Sequence, residues 1–509
     1  MKIKNKKLNK GLAMQAGVAT LELLIAFAIL VLNITAVVLI INGGQSVSVD
    51  SETNEEAIAK AKSFLAEKKA LAKNNFLSII DEPPTTEMSG ALTYTKELAV
   101  EDETECRKKI TSSYTWLASP IRPQKIEFTT LITDIAGALA LGGDCATSPP
   151  STDWTNPQTF TSADIVPGGN QGTDIDVIKI AGQKYAFLTS VHSSAASNDF
   201  WSFDLEVTPP LPVGQLNTGA GLNVLDVAKD LSSGEIYAYA GQDSNVNQFR
   251  VIRITTPSSP SLVASRTLPN ITFTCSPASS PCLAPQSIFF YNGRVYIGTR
   301  YIANLALPPT QNNEFHVYCV SDTSIPLCSP SNPVWLGSFN VNHNVNSIAV
   351  SGTTAYLATS GVNQELTVLD ISSPGSITPF TPFDAFGAED GTSVALMGNK
   401  IYLGRAQTAA SRPELYILDR DDLSIIAEKD LNLNPSAALV EDIATVSNFI
   451  FLGTSDSGSE FQVWNSNNLT SIWSFFNFPQ SIAGIEFMDD KIYAAVKSNS
   501  ALHVIYDAP

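Results

Sequence analysis

A short β-strand pattern recurs along the sequence after residue 150. Each copy has a first β-forming run, a hairpin turn, a second run of the type Tyr-Leu-Gly-Thr and, after a variable loop, a third run ending near Asp. Several copies add a fourth run, such as Asn332–Val341. The aromatic anchors of the second run are Tyr185, Tyr237, Tyr296, Tyr356, Tyr402, Phe451 and Tyr493. Such a period indicates repeated units that bury their apolar faces only against their neighbours.

The last copy ends at Pro509 without a fourth run, and the missing run is found upstream. The segment Asn156–Ile165 closely matches Asn332–Val341. Radial four-stranded sheets leave an open edge unless one sheet is completed from both chain ends. We therefore predict an all-β seven-bladed propeller over residues 151–509, closed by strand 156–165 in the last blade. A parallel β-solenoid is the alternative. The segment Glu365–Pro374 resembles the LVIVD-type repeats of bacterial surface propellers.

The N-terminus combines a basic segment with a long apolar run. Lysines dominate the charge of residues 1–17, and Val18–Ile41 contains one charged residue, Glu22. A run of this length can span a bilayer as a helix, with its basic side in the cytoplasm and the remainder outside. A secretory signal peptide would have a shorter apolar region. A plain membrane anchor would not account for a carboxylate inside it.

The sequence Gly17-Val18-Ala19-Thr20-Leu21-Glu22 resembles the processing site of type IV prepilins. The resemblance implies that a prepilin peptidase cuts after Gly17 and methylates Val18. It also implies that Glu22 pairs with the N-terminal amine of a neighbouring pilin subunit. The chain would then be a single-pass prepilin of the inner or cytoplasmic membrane, with its C-terminal part outside, and would reach a pilus or the cell surface after assembly.

Residues 18–80 are predicted to form one long helix, transmembrane over 18–41, with a bend or local loosening at Asn42-Gly43-Gly44. Amphipathic spacing continues the helix to about Ile80, and Pro83-Pro84 stop it. Residues 81–150 are predicted to form a small β domain, with the three strands Ala91–Leu98, Arg107–Leu117 and Gln124–Ile132, which resembles the sheet of some minor pilins. The predicted fold class is an α+β pilin-like stem, consisting of a long N-terminal helix and a small antiparallel sheet, followed by the propeller.

The six cysteines are read as disulfide candidates because an even number behind an export signal favours an oxidising compartment. Cys106 and Cys145 flank the small sheet, although another pairing remains open. The close pairs Cys275/Cys282 and Cys319/Cys328 suggest local disulfides in exposed loops, with free buried thiols as the alternative. No CxxC pair or histidine cluster occurs, so neither a metal site nor a cofactor is predicted.

The charge balance disfavours a nucleic-acid partner. The chain has 31 basic and 49 acidic residues and a formal net charge of −18, which repels phosphate backbones. Four carboxylates precede first strands and are candidates for the central channel, with solvated loop ends as the alternative: Glu389, Asp390, Glu441 and Asp442. Asp419–Asp422 could collect a cation or form an ordinary Asp-rich turn. Thr454–Phe461 faintly resembles a sialidase Asp-box or is a polar hairpin.

No nucleophile elbow or phosphate-binding glycine loop is present, so we predict that the chain is not an enzyme. The predicted function is that of a minor pilin or pilin-like subunit displaying a propeller for adhesion or partner recognition through a surface ligand. One alternative is a pseudopilin of a type II secretion or DNA-uptake system. Another is an extracellular propeller enzyme acting on glycan or polymer. The sequence does not identify the ligand.

Overall fold

The structure is a computed structural model that describes residues 12–90, 92–119, 122–141, 150–161, 165, 171–191, 197–230, 232–244, 246–269, 284–301, 313–322, 325–385, 387–406, 412–431, 433, 438–473, 478 and 480–508. The chain divides into two compact units. The small unit comprises Met1–Asn74, Ile79–Val100 and Ile110–Thr130. The propeller unit comprises Asn75–Ser78, Glu101–Lys109 and Leu131–Pro509.

The small unit combines one helix with a four-stranded sheet of order β1-β2-β3-β4. It contains α1 (Leu12–Ala72), β1 (Glu82–Ser89) and the larger parts of β2 (Leu92–Thr104), β3 (Arg107–Ser119) and β4 (Arg122–Thr133), whose remaining residues belong to the propeller unit. Ala57, Ala61, Phe64 and Leu65 are buried, and their spacing places them on one face of α1. Phe64 meets Tyr114 of β3 edge-on, with 6.4 Å between the ring centroids. The core of this unit therefore lies between the last turns of the helix and the sheet.

The helix differs from its predicted boundaries. It continues through Asn42-Gly43-Gly44 as α-helix, so the predicted local loosening is wrong. An interior glycine costs about 1 kcal/mol relative to alanine, which a helix of this length accommodates. The helix ends at Ala72, and Asn75 then accepts a hydrogen bond from the Ser78 backbone N–H at 3.2 Å. Such local side-chain bonds compete with helix formation. The sheet has one strand more than predicted, because Pro83-Pro84 lie in edge strand β1, where proline is tolerated.

The predicted fold class and location need correction. The α+β pilin-like class depended on a helix whose first half crosses a membrane. Within the described part of the chain, no helix is both long and apolar enough to do so. The predicted transmembrane segment 18–41 and the single-pass prepilin location are therefore not supported. The described chain is predominantly β, with eight four-stranded sheets.

Seven of these sheets, counted over the described residues, form the propeller unit. Each is numbered here as a blade, with its strands given from the innermost outward. Blade 1 contains β6 (Gln171–Ile180), β7 (Gln183–Val191), β8 (Phe200–Asp204) and β9 (Leu211–Leu216), and blade 2 contains β10 (Leu222–Lys229), β11 (Ile236–Gln242), β12 (Phe249–Arg253) and β13 (Ser261–Arg266). Blade 3 contains β14 (Pro285–Tyr291), β15 (Arg294–Thr299), β16 (Phe315–Cys319) and β17 (Val334–Phe339), and blade 4 contains β18 (Val345–Ser351), β19 (Thr354–Gly361), β20 (Gln364–Asp370) and β21 (Thr378–Pro379).

Blade 5 contains β22 (Gly391–Met397), β23 (Lys400–Arg405), β24 (Leu415–Asp419) and β25 (Ile425–Lys429), and blade 6 contains β26 (Val440–Val446), β27 (Phe449–Thr454), β28 (Phe461–Asn465) and β29 (Ser471–Trp473). Blade 7 contains β30 (Ile482–Met488), β31 (Lys491–Val496), β32 (Leu502–Asp507) and β5 (Pro157–Thr161). The helix α2 (Ile135–Ala140) precedes β5, and a short 3-10 helix, Pro374–Ser376, precedes β21.

The blades form a closed ring. The first strand of each blade packs against the first strand of the next, and β30 packs against β6. The segment predicted to complete the last blade does so, since β5 pairs antiparallel with β32. Asp507 accepts hydrogen bonds from the backbone N–H groups of Trp154 and Asn156, at 2.9 and 2.8 Å. The fully buried Trp154 ring lies 4.7 Å from the Phe451 ring and belongs to the same core cluster as Ile505 of β32, so both chain ends of this unit contribute to one core.

Burial follows the radial order of the strands. Second and third strands such as β11, β16 and β27 are buried along their whole length, whereas the outermost strand β25 is largely exposed. A strand covered on both faces reads as a continuous apolar run. This explains why the second and third runs dominate the sequence repeat and the fourth run is hard to recognise.

A buried polar residue stands at the head of the third strand in most blades. The residues at this position are Asp199, Gln248, Glu314, Glu365, Glu414 and Glu460, with Ala501 in blade 7. Each polar member accepts a backbone N–H from the linker to the next blade; for Glu314 the donors are Val341 and Asn342, at 2.8 and 3.0 Å. The residue therefore fixes the linker onto the blade that it leaves.

Candidate functional site

A cavity of about 760 Å³ lies on the axis of the propeller unit. Its wall is formed by the first strands of the blades. Second strands end, and first and third strands begin, on one face of the ring, called here the loop face. The hairpin turns lie on the opposite face, the turn face. Thr104, Glu105 and Leu141 line the cavity in addition to the blades.

Each first strand carries a β-bulge, which places one extra residue toward the loop-face end of the strand. The bulge residues are Thr173, Asn223, Gln286, Asn346, Thr392, Glu441 and Ala483. Thr173 donates to the Leu222 carbonyl of the next blade at 2.6 Å, and Asn346 donates to the Gly391 carbonyl at 2.7 Å. Much of the polar wall therefore binds one blade to the next.

Four aspartates of the wall also join neighbouring blades, in their case as hydrogen-bond acceptors. Asp174, Asp176 and Asp442 each accept a backbone N–H of the following blade, at 2.9, 2.6 and 2.8 Å. Asp226 accepts from Phe290 at 2.5 Å. Burial raises the pKa of Asp176 and of Asp442 to about 6, and burial together with a neighbouring aspartate charge raises the pKa values of Asp174 and Asp226 well above their ordinary value. Their cost of burial is offset by these hydrogen bonds, so this acidic group is primarily structural.

The mouth of the cavity on the loop face carries charges of both signs. Asp243 and the exposed Arg300 follow second strands, and Asp390 precedes the first strand of blade 5. Lys497 forms an ion pair with Glu441 at 2.6 Å. Burial raises the pKa of Asp243, an effect that the Arg300 charge opposes.

His343 lies close enough to Asp390, at this mouth, for the two charges to interact. Burial lowers the pKa of His343, and the Asp390 charge opposes that shift. The Tyr301 ring lies 6.2 Å from the imidazole ring. The mouth thus offers donors, acceptors and an aromatic surface to a polar partner.

Three of the four carboxylates proposed for the channel line the cavity: Asp390, Glu441 and Asp442. Glu389 instead belongs to a buried network in which Arg405 contacts both Glu365 and Glu389, at 2.9 and 3.1 Å. Asp174, Asp176 and Asp226 were missed, although the alternation Asp174-Ile175-Asp176 in β6 is a signal that places both aspartates on the same face of the strand, where they bond to blade 2.

The other candidate motifs are turns. Asp419 and Asp422 accept backbone N–H groups of their own turn, from Asp421 and Ser424, both at 2.8 Å, which favours the Asp-rich turn over a cation site. Arg420 inside this motif is buried and was not singled out from the sequence. The loop 455–460 is a polar hairpin closed by Thr454 and Glu460. No cluster able to hold a metal ion occurs among the described residues.

The predicted disulfides are partly visible. Cys319 and Cys328 are bonded, as predicted. Cys106 is disulfide-bonded, whereas its proposed partner Cys145 lies outside the described residues, as do Cys275 and Cys282. Gly17, Val18 and Glu22 lie within α1, and their roles in processing and assembly stay predictions.

A family model described as LVIVD repeat matches residues 343–380, which span the strands of blade 4. No curated protein matches the sequence. The chain is similar to the computationally designed Ika8 protein, with 11% identity over 68% of this chain and 100% of that chain and a TM-score of 0.41. It is also similar to Sqt1 of Saccharomyces cerevisiae, with 8% identity over 70% and 99% of the two chains and a TM-score of 0.42. The repeat match and the four-stranded sheets support a β-propeller-like repeat protein.

Proposed function

We propose that this chain is an extracellular β-propeller protein that recognises a polar partner, in adhesion or partner binding, at the cavity mouth on its loop face. The observation that carries the proposal is the mixed charge of that mouth. Asp243, Arg300 and Asp390 all line the edge of a large cavity. Most polar residues deeper in the wall are already used to join blades, whereas these three occupy the loop-facing edge, where function is commonly located.

The test compares two exposed arginines on opposite faces of the ring. Arg300 lies at the mouth, and Arg253 ends β12 toward the turn face, 3.7 Å from Glu235. Full-length wild type, Arg300→Ala and Arg253→Ala are applied to arrays of glycans and of extracellular proteins. A charge-assisted hydrogen bond contributes about 1.5 to 3 kcal/mol, so Arg300→Ala should weaken binding at least about tenfold. Arg253→Ala should bind like wild type. Equal binding by all three proteins would refute the proposal.

Binding without turnover is part of the same proposal. Each glycan or polymer retained on the array is incubated with the protein, and its mass is then measured. Recovery of the intact molecule is the expected result. Accumulation of a product that Arg300→Ala does not form would favour the alternative, an extracellular propeller enzyme.

A finer form of the proposal makes the chain a subunit of a type IV pilus or of a related secretion or DNA-uptake filament. Its support is the sequence Gly17–Glu22 alone, with prepilin peptidase and other pilin subunits as the implied partners. Mass spectrometry of the mature protein should then find an N-methylated Val18. Glu22→Ala should abolish incorporation into filaments, while Glu52→Ala in the same helix should not. A mature chain that begins at Met1 would exclude this form and leave the binding proposal intact.

A further inference from the structure

The cavity of the propeller unit is lined at its turn-face end by residues from outside the blades. Thr104 and Glu105 come from Glu101–Lys109, and Leu141 directly follows α2. Both segments belong to the propeller unit. We propose that they form a cap, held by an ion pair between Glu105 and Arg420, which closes this end of the channel. A partner would then reach the cavity from the loop face only.

Arg420 is built into the turn face and reaches the cap. Its side chain is 5% exposed. It donates to Glu105 at 3.0 Å and to the Gly398 carbonyl at 2.9 Å. The guanidinium group also lies 5.6 Å from the centre of the Tyr356 ring. Because the Gly398 carbonyl and the Tyr356 ring hold the guanidinium group independently of Glu105, it presents a preorganised charge to Glu105.

The remaining contacts distribute the cap around the channel end. The Ser447 backbone N–H, in the first hairpin turn of blade 6, donates to the Glu103 carbonyl at 2.7 Å. The Asn292 backbone N–H, in the first hairpin turn of blade 3, donates to the Ala140 carbonyl at 2.6 Å. The Asp134 N–H donates to the Cys106 carbonyl at 2.8 Å and so joins the two segments. The cap is therefore attached to blades 3, 5 and 6.

These attachments give the cap a role that a surface loop would not have. An uncapped channel would open on both faces of the ring, and a partner or solvent could enter from either. With the cap in place, Leu141 and the buried Thr104 form part of the floor of the cavity. The mouth bearing Asp243, Arg300 and Asp390 is then the entrance.

The test measures amide exchange at a site remote from the substituted residues. Hydrogen exchange of the Ser447 amide is followed in full-length wild type, Glu105→Ala and Arg420→Ala. Asp421→Ala, an exposed acid of the same turn, is the matched control. We expect at least tenfold faster exchange at Ser447 in the first two variants and no change in the control. Unchanged exchange at Ser447 in both variants would refute the proposal that the ion pair holds the cap. Equal acceleration at the Leu431 amide would also overturn it, because Arg420 would then hold the ring rather than the cap.

A second measurement tests the single entrance. Carboxylates are labelled with a carbodiimide and a bulky amine, and the sites are read by mass spectrometry. Glu486 lies toward the turn-face end of its strand, whereas Asp390 lies at the mouth. Glu105→Ala should raise labelling of Glu486 severalfold and leave Asp390 unchanged. Unchanged labelling of Glu486 would overturn the closed end. Neither result depends on the partner, so this inference can fail while the proposed binding stands.

Discussion

Two groups of buried acids in the propeller unit form similar hydrogen bonds at different distances from the channel axis. The outer group stands at the heads of third strands and includes Glu314, Glu365 and Glu414. The inner group, with Asp176 and Asp226 as examples, lies on first strands in the cavity wall. Both groups accept backbone N–H groups. The outer acids bind the linker of their own blade, whereas the inner acids bind the first strand of the next blade.

The two groups also differ in regularity. The outer position is acidic in five blades and glutamine in blade 2, where Gln248 accepts the Leu268 N–H at 3.2 Å. The inner positions vary more, and in blade 4 Ser347 stands where blade 1 has Asp174, accepting from Val394 at 3.2 Å. A hydroxyl or an amide therefore suffices as the acceptor. The difference teaches that geometry requires an acceptor at these positions, while the charge is an additional cost of burial.

The largest effect is expected where an outer acid also has an ionic partner. Glu365 accepts the Ala385 N–H at 2.9 Å and contacts the fully buried Arg405. Glu365→Ala removes both of these contacts and leaves Arg405 with Glu389 as its remaining buried acid. Breaking a buried pair costs about 3 to 5 kcal/mol, and this loss of unfolding free energy should be visible in urea denaturation.

Glu414→Ala provides the comparison, because Glu414 accepts the Leu431 N–H at 2.7 Å and forms no ion pair within 4 Å among the described residues. The loss should be about 1 to 3 kcal/mol, the cost of one unsatisfied buried donor. Equal losses in Glu365→Ala and Glu414→Ala would show that Arg405 does not distinguish the two positions.

A smaller effect should separate the acceptor role of the outer acids from their charge. Burial raises the pKa of Glu414 to about 7, above its ordinary value of 4.5. The folded chain then binds more protons than the unfolded chain between these values, so stability is full below pH 4.5 and is lost as pH rises through 7. Glu414→Gln, the residue type found at Gln248, keeps an acceptor and cannot ionise.

The variant should therefore flatten the pH dependence of the unfolding free energy by up to about 1.4 kcal/mol per pH unit between pH 5 and 7. Denaturation at pH 5, 6, 7 and 8 measures this slope. His316 and His503, whose pKa values burial lowers to about 4, act in the opposite direction and lose stability as pH falls toward 4. Their contribution is common to both proteins and cancels in the comparison. A parallel pH profile for wild type and Glu414→Gln would contradict the assignment.

The sequence predicted the propeller well because its signal is repeated. The aromatic anchors of the second runs all lie in second strands, and the closing strand was recognised by its similarity to Asn332–Val341. The same pattern placed Asp390, Glu441 and Asp442 near the channel. Because the strand pattern of a repeated unit occurs several times in the sequence, a single irregular copy does not obscure it.

Features that occur once were predicted less well. Arg420 follows Asp419 in a motif that reads as a polar turn, and nothing local shows that Glu105, more than 300 residues earlier, lies beside it. Strand β1 was missed because Pro83-Pro84 read as a helix stop, a local rule that an edge position overrides. The local loosening at Gly43-Gly44 was wrong for the same reason, since local propensity is a weak constraint inside a long helix.

The smallest effect should come from the inner group. The charges of Asp176 and Asp226 interact across blades 1 and 2, and burial together with Asp176 raises the pKa of Asp226. Asn at either position keeps an oxygen for the same backbone N–H and removes the repulsion. Asp226→Asn should therefore leave the unfolding free energy at pH 7 unchanged or raise it by about 1 kcal/mol. Asp176→Asn should act alike, and the double variant should gain less than the sum, because the first substitution already removes the repulsion. Strictly additive gains would mean that each carboxylate bears only its own cost of desolvation and that the two charges do not interact.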